Sequence, residues 1–228
     1  MDLPGWLFYL LGNWYFWPVY GAILYAVASP FIRALRLWQA KRRFIRSQGA
    51  KLENPQNADA RFQLANIYAE GGSWARALEY ARDAVKVAEE NPLYEGRVPY
   101  HFLRLLGDAQ LKKGRLDDAV ASYRRALGVK SDFGHGEARF GLGKALYRKR
   151  ELAAAFETLN QAIEDNASNL EGYFRLAQAA TDLGRPDHAE KVKQEFRRVA
   201  ASLPSFAGRH RLRWRVAFLL FPMTRYFV

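Results

Sequence analysis

Hydrophobic and polar positions divide the chain into three parts. From Leu3 to Ile32 no side chain is charged, so a long N-terminal stretch could be buried in apolar surroundings. Between residues 58 and 202, apolar and small residues recur at helical spacing, which predicts a series of amphipathic helices. From residue 203 onward, a basic stretch leads into a short apolar run. The pattern therefore predicts an all-α protein with apolar segments at both ends.

The first 32 residues are predicted to anchor the chain in a membrane. A helix of about 20 residues spans a hydrocarbon core of about 30 Å, and the charge-free stretch is longer than that. Pro4 favours a helix start, so we expect a short interfacial helix to about Leu11 and a second helix, from about Trp14, that enters the membrane. By the positive-inside rule, the cations that follow keep the next part in the cytoplasm. The predicted membrane or lipid contacts in this half are Trp6, Trp14, Trp17, Tyr20, Arg33, Arg36, Lys41, Arg42, Arg43 and Arg46.

Other interpretations of this segment stay open. Gly12 to Pro18 could bend the chain into a monotopic hairpin that never crosses the bilayer. Ala26-Val27-Ala28 resembles a signal-peptide cleavage site, although the preceding residues lack the basic region of a signal peptide. A buried core helix fits least, because a charge-free aromatic helix would be apolar on every side. We expect one transmembrane or re-entrant helix in residues 1–32, followed by a basic juxtamembrane helix and linker in residues 33–57.

The middle of the chain repeats one pattern. A leucine followed by a small residue recurs at steps of 42, 36 and 34 residues, and an alanine follows each leucine by thirteen positions. These residues are Leu64, Leu106, Leu142 and Leu176, with Ala77, Ala119, Ala155 and Ala189. A glycine lies eight positions after the leucine at Gly72, Gly114 and Gly184, whereas the third unit has Arg150 there. Small residues let paired helices approach closely, and glycine favours the turn between them.

These residues resemble the tetratricopeptide repeat, a 34-residue pair of antiparallel helices. Ala58 to Tyr68, with Gly72 and the small residues Ala77 and Ala84, is close to the family pattern. The resemblance implies a right-handed helical solenoid of about four repeats in residues 58–202, starting near residues 58, 100, 136 and 170. The long first step predicts a longer loop within residues 89–99.

Two features depart from the repeat pattern. Phe196 stands where the other repeats have a small residue, and such a bulky side chain suits a terminal cap that no further repeat covers. The glycines between Gly134 and Gly143 do not follow a predicted strand, and we interpret them as a flexible entry into the third repeat.

Members of this family usually bind peptides on the concave surface formed by the first helix of each repeat, so the resemblance implies a protein partner. Several residues that map to this surface are cations beside aromatic rings, which would suit an acidic or C-terminal carboxylate segment. A solvated polar face with internal salt bridges explains them equally well. The predicted groove residues are Phe62, Asn66, Arg104, Phe140, Lys144, Tyr147, Arg148, Phe174 and Arg175, with Gln63, Asp108 and Gln178 beside them.

No catalytic or cofactor-binding pattern stands out. The four histidines are scattered without the spacing of metal ligands. The chain has no cysteine, which excludes disulfides, thiolate metal sites and cysteine nucleophiles. Gly143-Lys144 lacks the earlier glycine of a phosphate-binding loop. We expect no enzymatic activity, no metal and no cofactor.

Residues 203–228 form a basic, aromatic tail without an acidic residue. The uncharged run from Val216 to Thr224 is too short to span a bilayer, so we expect a basic amphipathic helix that lies in the membrane interface. RNA is a competing anionic partner, and docking on the last repeat as a capping helix is a further alternative. The predicted lipid contacts here are Arg209, Arg211, Arg213, Trp214, Arg215, Phe218 and Phe221.

The net charge of +12 lies mainly at the two ends of the chain. Lys and Arg exceed Asp and Glu by 5 in residues 1–50, by 2 in residues 51–202 and by 5 in residues 203–228. Both basic ends border apolar aromatic segments, so an anionic bilayer explains the excess better than nucleic acid does.

The sequence thus predicts a non-catalytic, membrane-anchored scaffold or adaptor at the cytoplasmic face of a bacterial-type membrane. It would bind a protein partner through the solenoid and lipids through both ends. The alternative is a structural subunit of a larger membrane complex or membrane-shaping assembly. Such a subunit would contact other membrane proteins, or a second copy of itself, through its two ends.

Overall fold

The helices come in antiparallel pairs. A computed structural model describes residues 28–32, 34–44, 57–95, 97–129, 135–203 and 214–216, together with Gly21, Tyr25, Asn54 and Phe218. Between residues 57 and 203, the described residues form α1 Ala58–Glu70, α2 Trp74–Glu90, α3 Tyr100–Lys112, α4 Leu116–Gly128, α5 His135–Arg148, α6 Leu152–Asp165, α7 Leu170–Asp182 and α8 Pro186–Ser202. A 3₁₀ turn, Pro92–Tyr94, lies between α2 and α3, where the sequence predicts a longer loop.

Local sequence signals fix where the helices begin and turn. The side chain of Asn57 accepts a hydrogen bond from the Ala60 amide at 3.0 Å, and that of Asn169 accepts one from the Gly172 amide at 3.0 Å. These are N-caps that satisfy amides which have no partner within the helix.

The turn inside each repeat needs a left-handed residue. Gly72, Gly114 and Gly184 have φ angles of 78°, 76° and 73°. Arg150 occupies the same place in the third repeat with φ 65°. A side chain in this conformation costs about 1–2 kcal/mol relative to glycine, so the third turn is locally strained.

The first helix of each repeat lies on the inner side of the solenoid. Helices adjacent in sequence pack together, and α1, α3, α5 and α7 also contact one another in that order. The small residues predicted to allow this packing are buried at 0–3 % exposure; they are Ala77, Ala84, Ala119, Ala126, Ala155, Ala162 and Ala189. The predicted helical solenoid of four repeats is therefore confirmed.

Glycines within the helices make room for large side chains of the neighbouring helix. A Cβ added at Gly107 in α3 would lie 2.8 Å from the Tyr123 ring, and one at Gly141 in α5 would lie 2.4 Å from it. One at Gly143 would lie 2.6 Å from Leu159. The interpretation of this glycine cluster as a flexible entry is therefore wrong for Gly141 and Gly143, which lie inside α5 and allow close packing.

Residues 34–44 are helical and pack against the first repeat. Leu37 lies so close to Gly71 that an added Cβ there would be 2.7 Å from its Cδ1 atom. Phe44 is buried in a cluster with Leu64 and Tyr68. Lys41 Nζ lies 5.7 Å from the centre of the Tyr68 ring. Lys41, predicted to contact lipid, thus faces the solenoid, because the spacing 37, 41, 44 places all three side chains on one helix face.

The described part of the tail closes the last repeat. Trp214 is 6 % exposed, and its ring lies 5.5 Å from that of Phe174 in α7. The Phe218 ring lies 4.2 Å from that of Phe196 in α8. Trp214 and Phe218, predicted to contact lipid, contact the solenoid instead, because Phe174 and Phe196 offer an apolar end that no further repeat covers. The predicted capping role of Phe196 is consistent with this packing.

Most of the predicted membrane segment lies outside the described residues. This holds for residues 1–20, which carry the predicted interfacial helix and aromatic belt, and for Arg33, Arg46, Arg209, Arg211, Arg213 and Phe221. Arg36, Arg42, Arg43 and Arg215 are described and exposed. No helix in the part of the chain that the structure describes is both long and apolar enough to cross a bilayer.

Candidate peptide-binding groove

Two adjoining cavities lie on the inner side of the solenoid. One has a volume of about 380 Å³ and lies between α3, α5 and the start of α7. The other, of about 260 Å³, lies between the later parts of α3 and α5 and the first half of α7, and Lys144 lines both. We call the first the α3–α5 cavity and the second the cationic cavity. The α3–α5 cavity is lined by Arg104, Asp108, Gly136, Glu137, Phe140, Gly141, Lys144, Asn166, Ser168 and Asn169. The cationic cavity is lined by Leu111, Lys112, Lys144, Tyr147, Arg148, Glu171 and Arg175.

Charges in the α3–α5 cavity are paired within the protein. Arg104 Nη1 lies 2.9 Å from Asp108 Oδ2, and its Nε lies 3.2 Å from Glu137 Oε2. The Tyr123 hydroxyl donates a hydrogen bond of 2.6 Å to Asp108 Oδ1. Burial raises the pKa of Asp108, although Arg104 and the Tyr123 hydroxyl act in the opposite direction. Arg104, a predicted groove cation, is therefore already engaged by two carboxylates.

The cationic cavity holds four cations and one carboxylate. Lys112, Lys144, Arg148 and Arg175 line it together with Glu171. Glu171 Oε1 lies 3.8 Å from both Lys144 Nζ and Arg175 Nε. One carboxylate shared at this distance compensates the cations only in part, so the cavity has an excess of positive charge that favours an anion.

Lys144 is the cation at the centre of the groove. Its Nζ lies 4.2 Å from the centre of the Phe140 ring, within the range of a cation–π contact. Burial lowers the pKa of Lys144, while the carboxylates of Glu171 and Asp108 raise it. A cation that has lost hydration gains more from a bound carboxylate than an exposed one does.

Internal hydrogen bonds hold the other side chains of the cationic cavity in place. Arg148 Nη1 donates to the Leu111 carbonyl at 2.9 Å, and Arg175 Nη1 donates to Gln178 Oε1 at 3.0 Å. The Tyr147 hydroxyl donates to Asp182 Oδ2 at 2.6 Å. Burial and this carboxylate raise the pKa of Tyr147 to about 12. Such preorganised side chains lose little conformational entropy when a ligand binds.

Six of the nine predicted groove residues line the two cavities, and the other three lie elsewhere. Phe62 of α1 stacks on Phe102 of α3 at 4.7 Å, and Asn66 is half-buried on α1 away from both cavities. Phe174 does not face the groove, because it is 5 % exposed beneath Trp214 and Phe218. The residues at the cavities are Arg104, Phe140, Lys144, Tyr147, Arg148 and Arg175.

Sequence reasoning missed two charged residues of the cationic cavity. Lys112 ends α3 and Glu171 lies in the first turn of α7. Glu171 could have been found from its spacing of four before Arg175, which places an acid beside a base on one helix face. Lys112 carried no comparable signal.

Two histidines with described side chains serve in packing. His101 makes an edge contact of 4.7 Å with the Phe62 ring, and His188 one of 5.9 Å with the Phe156 ring. Among the residues that the structure describes, no group of three or more His, Asp or Glu side chains could hold a metal ion.

Comparison with known proteins gives the family and the fold. The tetratricopeptide repeat model matches residues 32–95, 96–134, 104–169 and 140–204. A crystal structure of the MamA protein is 18 % identical over 76 % of this chain and 93 % of that one, with a TM-score of 0.59. MamA from Desulfovibrio magneticus RS-1 is 14 % identical over 81 % and 97 %, with a TM-score of 0.61. YrrB, described as a TPR protein with an unusual peptide-binding site, is 19 % identical over 67 % and 72 %, with a TM-score of 0.53.

At these identities the solved structures show a shared fold and nothing finer. No curated protein matches the chain significantly. The family match begins at residue 32, so it includes the helix at residues 34–44 that packs on the first repeat. Together the matched ranges extend to residue 204 and cover most of the chain. The chain therefore belongs to the tetratricopeptide repeat family, whose members act as scaffolds for protein–protein interaction.

Proposed function

We propose that this protein is a non-catalytic scaffold that binds an acidic segment of a protein partner in its groove. The observation that carries the proposal is the cationic cavity, which is lined by Lys112, Lys144, Arg148 and Arg175 but by only one carboxylate. That carboxylate, on Glu171, lies near Lys144 and Arg175. A side-chain or C-terminal carboxylate of the partner would pair with the cations that Glu171 compensates only in part.

The geometry gives Glu171 a particular role in this proposal. It lies 3.8 Å from both Lys144 Nζ and Arg175 Nε, so it takes the place that a ligand carboxylate would take. Binding would then displace or share this internal ion pair. Affinity should therefore rise when Glu171 is neutralised and fall when Lys144 is neutralised.

Fluorescence anisotropy of a labelled peptide tests this directly. The peptide carries Asp and Glu residues and a free C-terminal carboxylate, and it is titrated with the full chain in uncharged detergent. Because a hydrogen bond to a charged group contributes about 1.5–3 kcal/mol, Lys144→Met should weaken binding by roughly 10- to 100-fold. Glu171→Gln should strengthen it several-fold. Arg82→Ala, which removes an exposed cation of α2, serves as the charge-matched control.

Two outcomes would contradict the groove assignment. One is an equal loss of affinity in Lys144→Met and Arg82→Ala, which would indicate only non-specific attraction. The other is unchanged binding in both groove variants. An amidated peptide and one with Gln and Asn in place of the acids show whether the terminal or the side-chain carboxylates are recognised.

We further propose that residues 1–32 hold this scaffold at the cytoplasmic face of a bacterial-type membrane. The charge-free stretch from Leu3 to Ile32 and the cations that follow it support this location. Full-length protein should remain in the membrane fraction after carbonate extraction and leave it in detergent. A reporter that works only in the cytoplasm should be active when fused after Val228. Activity of a reporter that works only outside the cytoplasm would refute the orientation.

A further inference from the structure

The helical residues before the first repeat carry an apolar stripe on a side that is exposed rather than packed against the solenoid. Leu37, Lys41 and Phe44 form the docked side, as described above. Phe31 and Trp38 are exposed at 72 % and 54 %. With Leu35, which is 43 % exposed, they follow the spacing i, i+4, i+7 of a single helix face. Large apolar side chains aligned in this way mark an interaction surface more clearly than scattered ones do.

Cations border this stripe. Arg36, Arg42 and Arg43 are exposed, and the Arg42 guanidinium lies 5.1 Å from the centre of the Trp38 ring. The sequence contains no acidic residue from position 3 to position 52. The surface thus joins apolar rings with positive charge and has no negative charge of its own.

This combination favours an anionic lipid surface over a second copy of the chain. Two copies joined through the stripe would bring like charges together, which opposes association. In a bilayer interface, aromatic and leucine side chains lie at the acyl boundary while arginines contact lipid phosphates. Trp38 is particularly suited to this depth, because its ring is amphipathic.

We propose that the face formed by Phe31, Leu35 and Trp38, bordered by Arg36, Arg42 and Arg43, lies in the interface of an anionic membrane. The face formed by Leu37, Lys41 and Phe44, about one third of a turn away around the helix, holds the first repeat. The inference rests on the proposed membrane location and specifies which face of the helix contacts the membrane. The helix at residues 34–44 is packed against α1 and α2, so its insertion would fix the orientation of the solenoid, and thus of the groove, relative to the bilayer.

Site-directed spin labelling tests the proposal, and the absence of cysteine lets single-cysteine variants of the full chain be labelled without background. One label replaces Leu35, and the control label replaces Glu157, an exposed residue of α6. The variants are reconstituted in vesicles of phosphatidylcholine with phosphatidylglycerol. The accessibility of each label to oxygen, which enters lipid, is compared with that to a water-soluble nickel complex.

The expected ratio of oxygen to nickel accessibility is roughly tenfold higher at position 35 than at position 157, since only the first label would reach the acyl boundary. Replacing Arg42 and Arg43 by glutamine should lower the ratio at position 35. A water-accessible label at position 35 in vesicle-bound protein overturns this inference and leaves the membrane location intact. Strong spin–spin broadening at position 35 overturns it in favour of a second copy. Failure of the protein to float with the vesicles overturns both.

Discussion

Replacing Gly141 by alanine tests whether the Tyr123 ring sets the spacing of α3, α4 and α5. An added Cβ would lie 2.4 Å from two atoms of that ring and 2.7 Å from its hydroxyl oxygen. Non-bonded carbon atoms are in contact at about 3.5–4.0 Å, so the ring would have to move by about 1 Å. Tyr123 is fully buried and also lies against Gly107, so it has no open space to move into.

The expected loss of stability follows from two opposing effects. Overpacking a well-packed core costs about 1–3 kcal/mol. Alanine in place of glycine inside a helix contributes about 1 kcal/mol in the other direction. Because the clash involves two ring atoms and the hydroxyl oxygen, we expect the upper part of the overpacking range and a net loss of about 1–2 kcal/mol in the free energy of unfolding.

The matched control is Gly128→Ala at the end of α4, where no atom would lie within 4 Å of the new Cβ. This variant should be as stable as the unmodified chain, or more stable by up to about 1 kcal/mol. Urea unfolding followed by far-UV circular dichroism measures both variants. The reasoning is refuted if Gly141→Ala and Gly128→Ala have the same stability. The double variant Gly141→Ala with Tyr123→Leu should show a coupling of at least about 0.5 kcal/mol.

Three further predictions concern pH, the third turn and the tail. Since the pKa of Tyr147 is raised to about 12 in the folded protein, the unfolded chain loses this proton first. The contribution of the Tyr147 hydroxyl to stability should therefore be constant below about pH 9 and decline above about pH 10. Urea unfolding at a series of pH values measures this decline, which should be smaller in Tyr147→Phe. Arg150→Gly should raise the free energy of unfolding by about 1 kcal/mol, because glycine adopts the left-handed turn without strain, and Gly114→Ala should lower it by about the same amount. Both changes should appear as shifts of the thermal midpoint. Trp214→Ala should cost about 3 kcal/mol and speed proteolysis at the end of the solenoid, whereas Arg215→Ala, at an exposed neighbour, should do neither.

The repeat architecture could be predicted from sequence because its signals are local and periodic. Ala77 and its equivalents recur at fixed positions, and Gly72, Gly114 and Gly184 mark the turns, so the helix pairs and their order follow directly. Six of the nine predicted groove residues lie at the two cavities for the same reason: the first helix of each repeat faces inward.

The features that the sequence did not predict depend on contacts between residues far apart in the chain. Phe174 follows the groove pattern, but only the tertiary structure brings Trp214 onto it. The sequence predicts a flexible segment at Gly141 and Gly143, whereas in the structure these glycines allow close packing of Tyr123 and Leu159 against α5. In sequence, Lys41 does not differ from the basic residues around it, and only the tertiary structure places it beside the Tyr68 ring.

The sequence by itself determined the helical repeats, the small residues between them and the concentration of charge at the two ends. The tertiary structure decided which charges remain available. It pairs Arg104 with Asp108 and Glu137, and leaves Lys144 and Arg175 to share Glu171. The physical reason is that periodicity fixes the face on which a side chain lies, whereas its partners depend on which other helices pack against that face.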